Sequence, residues 1–319
     1  MAHHHLPSTP ETVAWGYWDA ALAPVLRVAS GDTVTIDTLS GEPDDLPADE
    51  RLILPEHRAV LAGASRGSGP HLLTGPIFVE GAEPGDVLEV QVLDVTLRQD
   101  WGWNIIEPLL GTLPEDFPVQ RRLHIPLDRA KRTATLPWGL EWPLEPFFGN
   151  FGVAPPPAYG RITSIIPREH GGNMDNRALV AGCTVYFPVF NRGALFSAGD
   201  GHAAQGDGEV CLTAIETSLR GTFRLTVRKD IKLAFPRAET ATHYIAMGMN
   251  EDLDDAARQA LRNMIAWIVE LSGLAAVDAY TLCSIAADLR VTQMVDLNKG
   301  VHCMLPKTAI HLKIGGSHG

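Results

Sequence analysis

From Pro167 to Glu216 the chain reads PREHGGNMDNRALVAGCTVYFPVFNRGALFSAGDGHAAQGDGEVCLTAIE. Asp175, Asp200, His202, Asp207 and Glu209 sit there among Gly171, Gly172, Gly199, Gly201, Gly206 and Gly208. That glycine density places the acids and the histidine in turns and not on a helix face. Glycine also permits positive φ and close backbone approach, so a small ion or substrate can meet main-chain groups directly. Between the polar clusters runs CTVYFPVF, whose β-branched and aromatic residues predict a buried strand. The expected order is turn, strand, turn, strand, with both polar turns at one end of a sheet.

A chain of 319 residues with 45% hydrophobic and 20% charged content is long enough for a large core. The formal net charge of -12 argues against a nucleic-acid groove or an anionic membrane surface, both of which need Lys and Arg. No apolar run approaches the ~18 residues of a membrane span. The opening MAHHHLPSTP lacks the apolar centre of a secretory signal. Residues 1–12 are therefore expected to be a flexible tail, with 13–319 a single unit. Cys183, Cys211, Cys283 and Cys303 lie in apolar segments without a CxxC pair, as expected of reduced thiols in a cytoplasmic protein.

Val34 and Ile36 alternate with Thr33, Thr35 and Asp37, the period of a half-buried strand. A short helix is expected within Leu52–Leu61. Glu83-Pro84-Gly85-Asp86 predicts a tight turn between IFV and VLEVQVLDV, a hairpin or a barrel corner. Residues 99–160 are rich in Pro, Gly and Trp; their aromatics either wall a pocket or pin loops to the core. Two helices are expected late, near 254–272 and 275–289, with Gly273 ending the first. Ala256, Ala260, Ile265, Ile268 and Leu271 form the apolar stripe of that first helix. A strand over VHCMLPKTAIHL closes the chain. The fold class expected is α+β, mostly β: a sandwich or barrel body carrying two late helices.

Five separated segments, TGPIFVEGAEPGDVLEV, GNFGVAPP, GGNMDNR, GDGHAAQGDGEV and SIAADLRVTQMVD, make the chain resemble the acetamidase/formamidase family of amide hydrolases. The resemblance runs from about Val28 to Pro306. It implies a β-rich fold and hydrolysis of short linear or cyclic amides to carboxylate and ammonia. It also implies a divalent metal and a homo-oligomer, a dimer or larger.

Asp200 and His202, a carboxylate and an imidazole two residues apart, suit Zn²⁺ or a similar ion. Taken without the resemblance, such a pair is more often a solvated turn. Asp175, in the matching glycine-rich turn, is the expected third ligand, with Glu209 and Glu80 in reserve. Glu80 and Glu209, each next to a strand, are the candidates for proton transfer. Asn173, Gln205, His71, Trp101 and Trp103 are expected around the substrate, and His170 and Glu216 are weaker candidates. Asp86 reads as a turn-former. With no GxSxG elbow and buried cysteines, a serine or cysteine nucleophile is unsupported, and no phosphate-binding glycine loop opens a helix. A different reading is a non-catalytic ligand- or carbohydrate-binding β-sandwich whose Asp/Gly turns hold a structural Ca²⁺; oxygen-only ligation would favour it, and a ligating His202 disfavours it.

Overall fold

A computed structural model describes residues 1–310 of the chain. Strand Thr33–Asp37 keeps the expected alternation: Val34 and Ile36 are fully buried, while Thr33 and Thr35 are half-buried. It is the second strand of a nine-stranded sheet. In order that sheet comprises His3–Leu6, Thr33–Asp37, Leu219–Arg228, Val87–Leu97, Thr184–Pro188, Arg237–Glu239, His243–Asn250, Lys299–Pro306 and Asp288–Gln293. A second, eleven-stranded sheet has Phe196–Ala204 near its centre. Leu72–Val79, Phe147–Gly152 and Ile215–Glu216 all pair with that strand.

The main core lies between the two sheets. Phe148, Phe151 and Phe196 come from the second sheet, and Phe187 and Phe223 from the first. Their rings meet tilted or edge-on, with Phe148–Phe223 at 5.3 Å, Phe151–Phe187 at 5.6 Å and Phe196–Phe223 at 5.5 Å. The Glu83–Asp86 turn is a corner and not a hairpin, because Leu72–Val79 and Val87–Leu97 belong to different sheets. Asp86 accepts from the Glu83 N–H at 3.0 Å, the turn-forming bond expected of it.

Helix α1 is Pro55–Gly63. Helix α2, Leu253–Ser272, starts at Asp252, whose side chain accepts from the Asp255 N–H, and stops at the left-handed Gly273. Its buried stripe is Ala256, Ala260, Met264, Trp267 and Ile268; Leu271 is exposed and Ile265 only partly buried. The helix lies close on strand His243–Asn250, since a Cβ at Gly248 would stand 2.1 Å from the Ala256 carbonyl oxygen.

Three expectations need correction. The loose tail over residues 1–12 is not seen. His3–Leu6 pairs in parallel with Thr33–Asp37, and the rings of His4 and His5 bond Asp32 and Asp37. The second late helix, α3, covers only Ala276–Ala286, and Asp288–Gln293 is an edge strand with an exposed Leu289. Its β-branched Val291 pairs with Val301 in the ladder to Lys299–Pro306, and this pairing outweighs the helical pattern upstream. The closing strand ends at Pro306; residues 311–319, and with them the end of the expected single unit, lie outside the described residues. Among the described residues no single helix is long and apolar enough to cross a membrane.

Candidate metal centre and its cavity

Asp200 and His202 lie on strand Phe196–Ala204, not in a turn. Being two residues apart on a strand, they project to the same face. The glycines beside them answer to crowding. A Cβ at Gly199 would sit 2.3 Å from the Leu72 carbonyl oxygen, and one at Gly201 would sit 2.4 Å from that of Thr217. Neighbouring strands therefore pass too close for any side chain there. Asp200 (φ 56°), Asp175 (φ 43°) and Glu209 (φ 45°) all hold left-handed backbone. Non-glycine residues rarely adopt it, and such strain gathers at functional sites.

His202 Nε2 faces four carboxylates. Glu216 Oε1 is 3.2 Å away, Asp200 Oδ2 3.3 Å, Asp175 Oδ1 3.8 Å and Glu209 Oε1 3.9 Å. Asp296 joins them, and three sets of potential ligand atoms overlap: Asp175–Asp200–His202, His202–Glu209–Glu216 and Asp175–Glu209–Asp296. Within each set the atoms lie within 4.8 Å of one another. All six residues are buried.

Burial pushes Glu216 and Asp296 up to about 7 each, and burial together with neighbouring carboxylates holds Asp175 and Glu209 well above the usual range. Burial opposes the charge on His202, but Glu216 and Asp200 outweigh it and raise its pKa well above that of a free imidazole. Burial also opposes the charge on Asp200; here His71 and His202 prevail and hold it below the usual carboxylate range.

Five buried carboxylates around one imidazole are expensive to ionise together without a cation. Both oxygens of Asp175, Glu216 Oε2 and Asp296 Oδ2 lack a hydrogen-bond partner. A Cβ at Gly149 would lie 2.3 Å from Asp175 Oδ1, 2.6 Å from Asp200 Oδ2 and 2.7 Å from His202 Cε1, so the strand across from Asp200 leaves this space open. Carboxylate oxygens with one imidazole nitrogen are a donor set for zinc or a similar divalent ion. The residues fit such a group.

Gln205 is not at the substrate face. Its Nε2 donates to the carbonyl oxygens of Asp175 (2.8 Å) and Thr292 (3.1 Å), so its Oε1 is left to accept from His202 Nδ1–H at 2.8 Å. That bond leaves Nε2 as the imidazole atom turned towards the carboxylates, the usual support of a metal-ligating histidine.

The cluster forms the floor of a cavity of about 410 Å³. Asn173, His71 and Trp103 line it, as expected. Asn173 Oδ1 and Trp103 Nε1 are buried without a partner, and His71 Nδ1 pairs with Ser164 Oγ at 2.9 Å. Trp101 does not line it; its Nε1 donates to the Leu52 carbonyl oxygen at 3.0 Å and its ring packs with that of His124. His170 is buried edge-on to Trp18, away from the cavity. Glu80 is a correction: it ends up exposed, paired with Arg27 at 3.3 Å, because the strand before it runs out to the surface.

Of the cluster, Glu216 was only a weaker candidate from the sequence and Asp296 was assigned no role. Glu216 read as an acid after an apolar strand, yet its strand pairs directly with His202. Asp296 ends the SIAADLRVTQMVD segment, seven residues past the end of the expected second helix; a bridge between Gly208 and Gln293 brings it beside Glu209.

The family model described as the Acetamidase/Formamidase family matches residues 6–159 and 158–311. The crystal structure of a predicted acetamidase/formamidase from Thermoanaerobacter tengcongensis superposes with a TM-score of 0.85 at 28% identity, covering 97% of each chain. An acetamidase structure from Bacillus halodurans gives a TM-score of 0.82 at 32% identity, covering 95% of this chain and 97% of that one. A formamidase of Methylophilus methylotrophus is 31% identical over 193 residues, 44% of this chain and 47% of that protein. The chain spans about half the length of the curated relatives it matches. With the family model matching nearly end to end, the chain belongs to the acetamidase/formamidase family.

Proposed function

We propose that this protein is a metal-dependent amidohydrolase that cleaves the C–N bond of amides to carboxylate and ammonia or amine. The observation that carries the reading is the buried ring of carboxylates about His202, with oxygens left unpartnered at the floor of an open cavity. Asp175, Asp200 and His202 are the proposed ligands, with zinc the ion best suited to them. Such a cation, when bound, supplies Lewis acidity towards an oxygen donor.

The remaining roles fall to side chains. Trp103 Nε1 and the Asn173 amide, both facing the cavity, orient the substrate. Gln205 holds the His202 tautomer. Glu209, which lines the cavity with its Oε1 3.9 Å from His202 Nε2, takes a proton from the attacking water and passes it to the departing nitrogen. Glu216 is more firmly fixed, as its Oε1 accepts from the Ala214 N–H at 3.0 Å, and serves as a support.

The test is divalent-metal content of the purified protein together with ammonia release from formamide and acetamide. His202→Ala is expected to lose both the ion and turnover. Glu209→Gln is expected to keep the ion and lose on the order of a hundredfold or more in kcat. A metal-free protein that hydrolyses amides at full rate refutes the reading.

A further inference from the structure

Formamide and acetamide occupy the space of about two or three water molecules, each taking roughly 30 Å³. The cavity above the carboxylate ring is about 410 Å³, in the range that encloses a ligand of a dozen heavy atoms or more. The apolar part of its lining that solvent reaches is formed by Pro70, Ile165, Leu212 and Val295, while Leu39, Leu72, Ile105 and Trp103 are buried. Its lining continues to Leu110 and Leu297, which are 45% and 63% exposed.

The charge of the lining is equally one-sided. Glu42, Asp44, Asp45 and Glu107 join the five buried acids, against one arginine and no lysine. That arginine, Arg122, is taken, its Nε lying 2.8 Å from Asp45 Oδ1.

We infer that the substrate is a primary amide carrying a bulky apolar acyl group, neutral or cationic and not anionic, whose body lies against Ile165, Leu212 and Val295 while its amide reaches the carboxylate ring. This rests on the amidohydrolase reading above and specifies its substrate. A three-atom amide would leave the apolar wall wet, whereas a phenyl or long alkyl group covers it. Each buried CH₂ then adds about fourfold to kcat/KM, and a buried phenyl group on the order of ten- to a hundredfold.

The experiment compares kcat/KM of the metal-loaded full chain on formamide, acetamide, phenylacetamide, phenylalaninamide, valeramide and succinamate. Phenylacetamide is expected to exceed acetamide at least tenfold, phenylalaninamide to be accepted, and succinamate to fall at least tenfold below valeramide. Ile165→Trp, which fills the wall, is expected to lower the phenylacetamide-to-acetamide ratio. Turnover of formamide and acetamide equal to or better than phenylacetamide overturns this inference and leaves the amidohydrolase reading standing. Succinamate matching valeramide overturns its charge requirement. Hydrolysis of no amide overturns both.

Discussion

Gly149 has no side chain for a reason that can be measured. Its position on strand Phe147–Gly152 faces Asp200, and its carbonyl oxygen accepts from the Asp175 N–H at 3.1 Å. In Gly149→Ala the new Cβ would meet Asp175 Oδ1 at 2.3 Å, Asp200 Oδ2 at 2.6 Å and His202 Cε1 at 2.7 Å. Ordinary contacts begin near ~3.5 Å, so each group must retreat by roughly 1 Å. All three are proposed ligands, and displacement of that size in a catalytic constellation costs on the order of a hundredfold. Overpacking by one methyl costs only ~1–3 kcal/mol of stability, a few degrees in Tm for a chain of this size. The expected signature is a kcat/KM for amide hydrolysis about a hundredfold down, reduced bound metal, and a cooperative thermal transition lowered by only a few degrees. Ammonia release, metal analysis and calorimetry on one preparation read all three. A folded variant within about threefold of the parent rate would show that the site does not use this space, and the ligand assignment to Asp175, Asp200 and His202 would fall with it.

Glu80→Gln is expected to change turnover by less than about twofold, since its exposed ion pair with Arg27 is of the kind worth under ~1 kcal/mol; a tenfold loss in steady-state assays would place Glu80 in the chemistry after all. Gly248→Ala drives a Cβ into the Ala256 carbonyl and should destabilise by ~1–3 kcal/mol in urea titrations while activity per folded molecule holds; an unchanged midpoint would refute the close packing of α2. Burial alone would raise the pKa of Asp37, but Arg220, Arg98 and His5 outweigh it and leave it lowered. Its stabilisation is therefore present above the unfolded-state value of about 3.9 and is lost as pH falls through the lower folded value. Asp37→Asn should be less stable than the parent at neutral pH, with the gap narrowing in acid; a gap independent of pH in denaturation curves would remove the electrostatic account.

The strand at Thr33–Asp37, helix α2 with its glycine stop, and the mostly β body were legible because each is written in a local period or a local cap. Asp200, His202 and Asp175 were singled out by their glycine company, although the reason for those glycines was misjudged. Gly199 and Gly201 mark strands in close passage, which only the sheet order reveals. Glu216 carries no local sign of its partner, because pairing across strands sets its neighbour and its own segment reads as a strand end. Glu80 failed for the converse reason: a carboxylate after a strand looks alike whether that strand ends at a cavity or at open surface. Asp296 gave no local sign either, because it lies just past an edge strand, Asp288–Gln293, that takes its character from Lys299–Pro306.

The bridge between Gly208 and Gln293 also bears on the order in which this protein becomes competent. Asp175 and Asp296 come together only after on the order of a hundred residues between them, α2 and α3 included, have folded, and such long-range closures are among the slower events of folding. A chain still being made, with Asp200 and His202 already on their strand, has no Asp296 beside Glu209. The complete carboxylate ring should accordingly assemble late in refolding, after the intersheet phenylalanines have packed, and its closure marks the last long-range event of the fold.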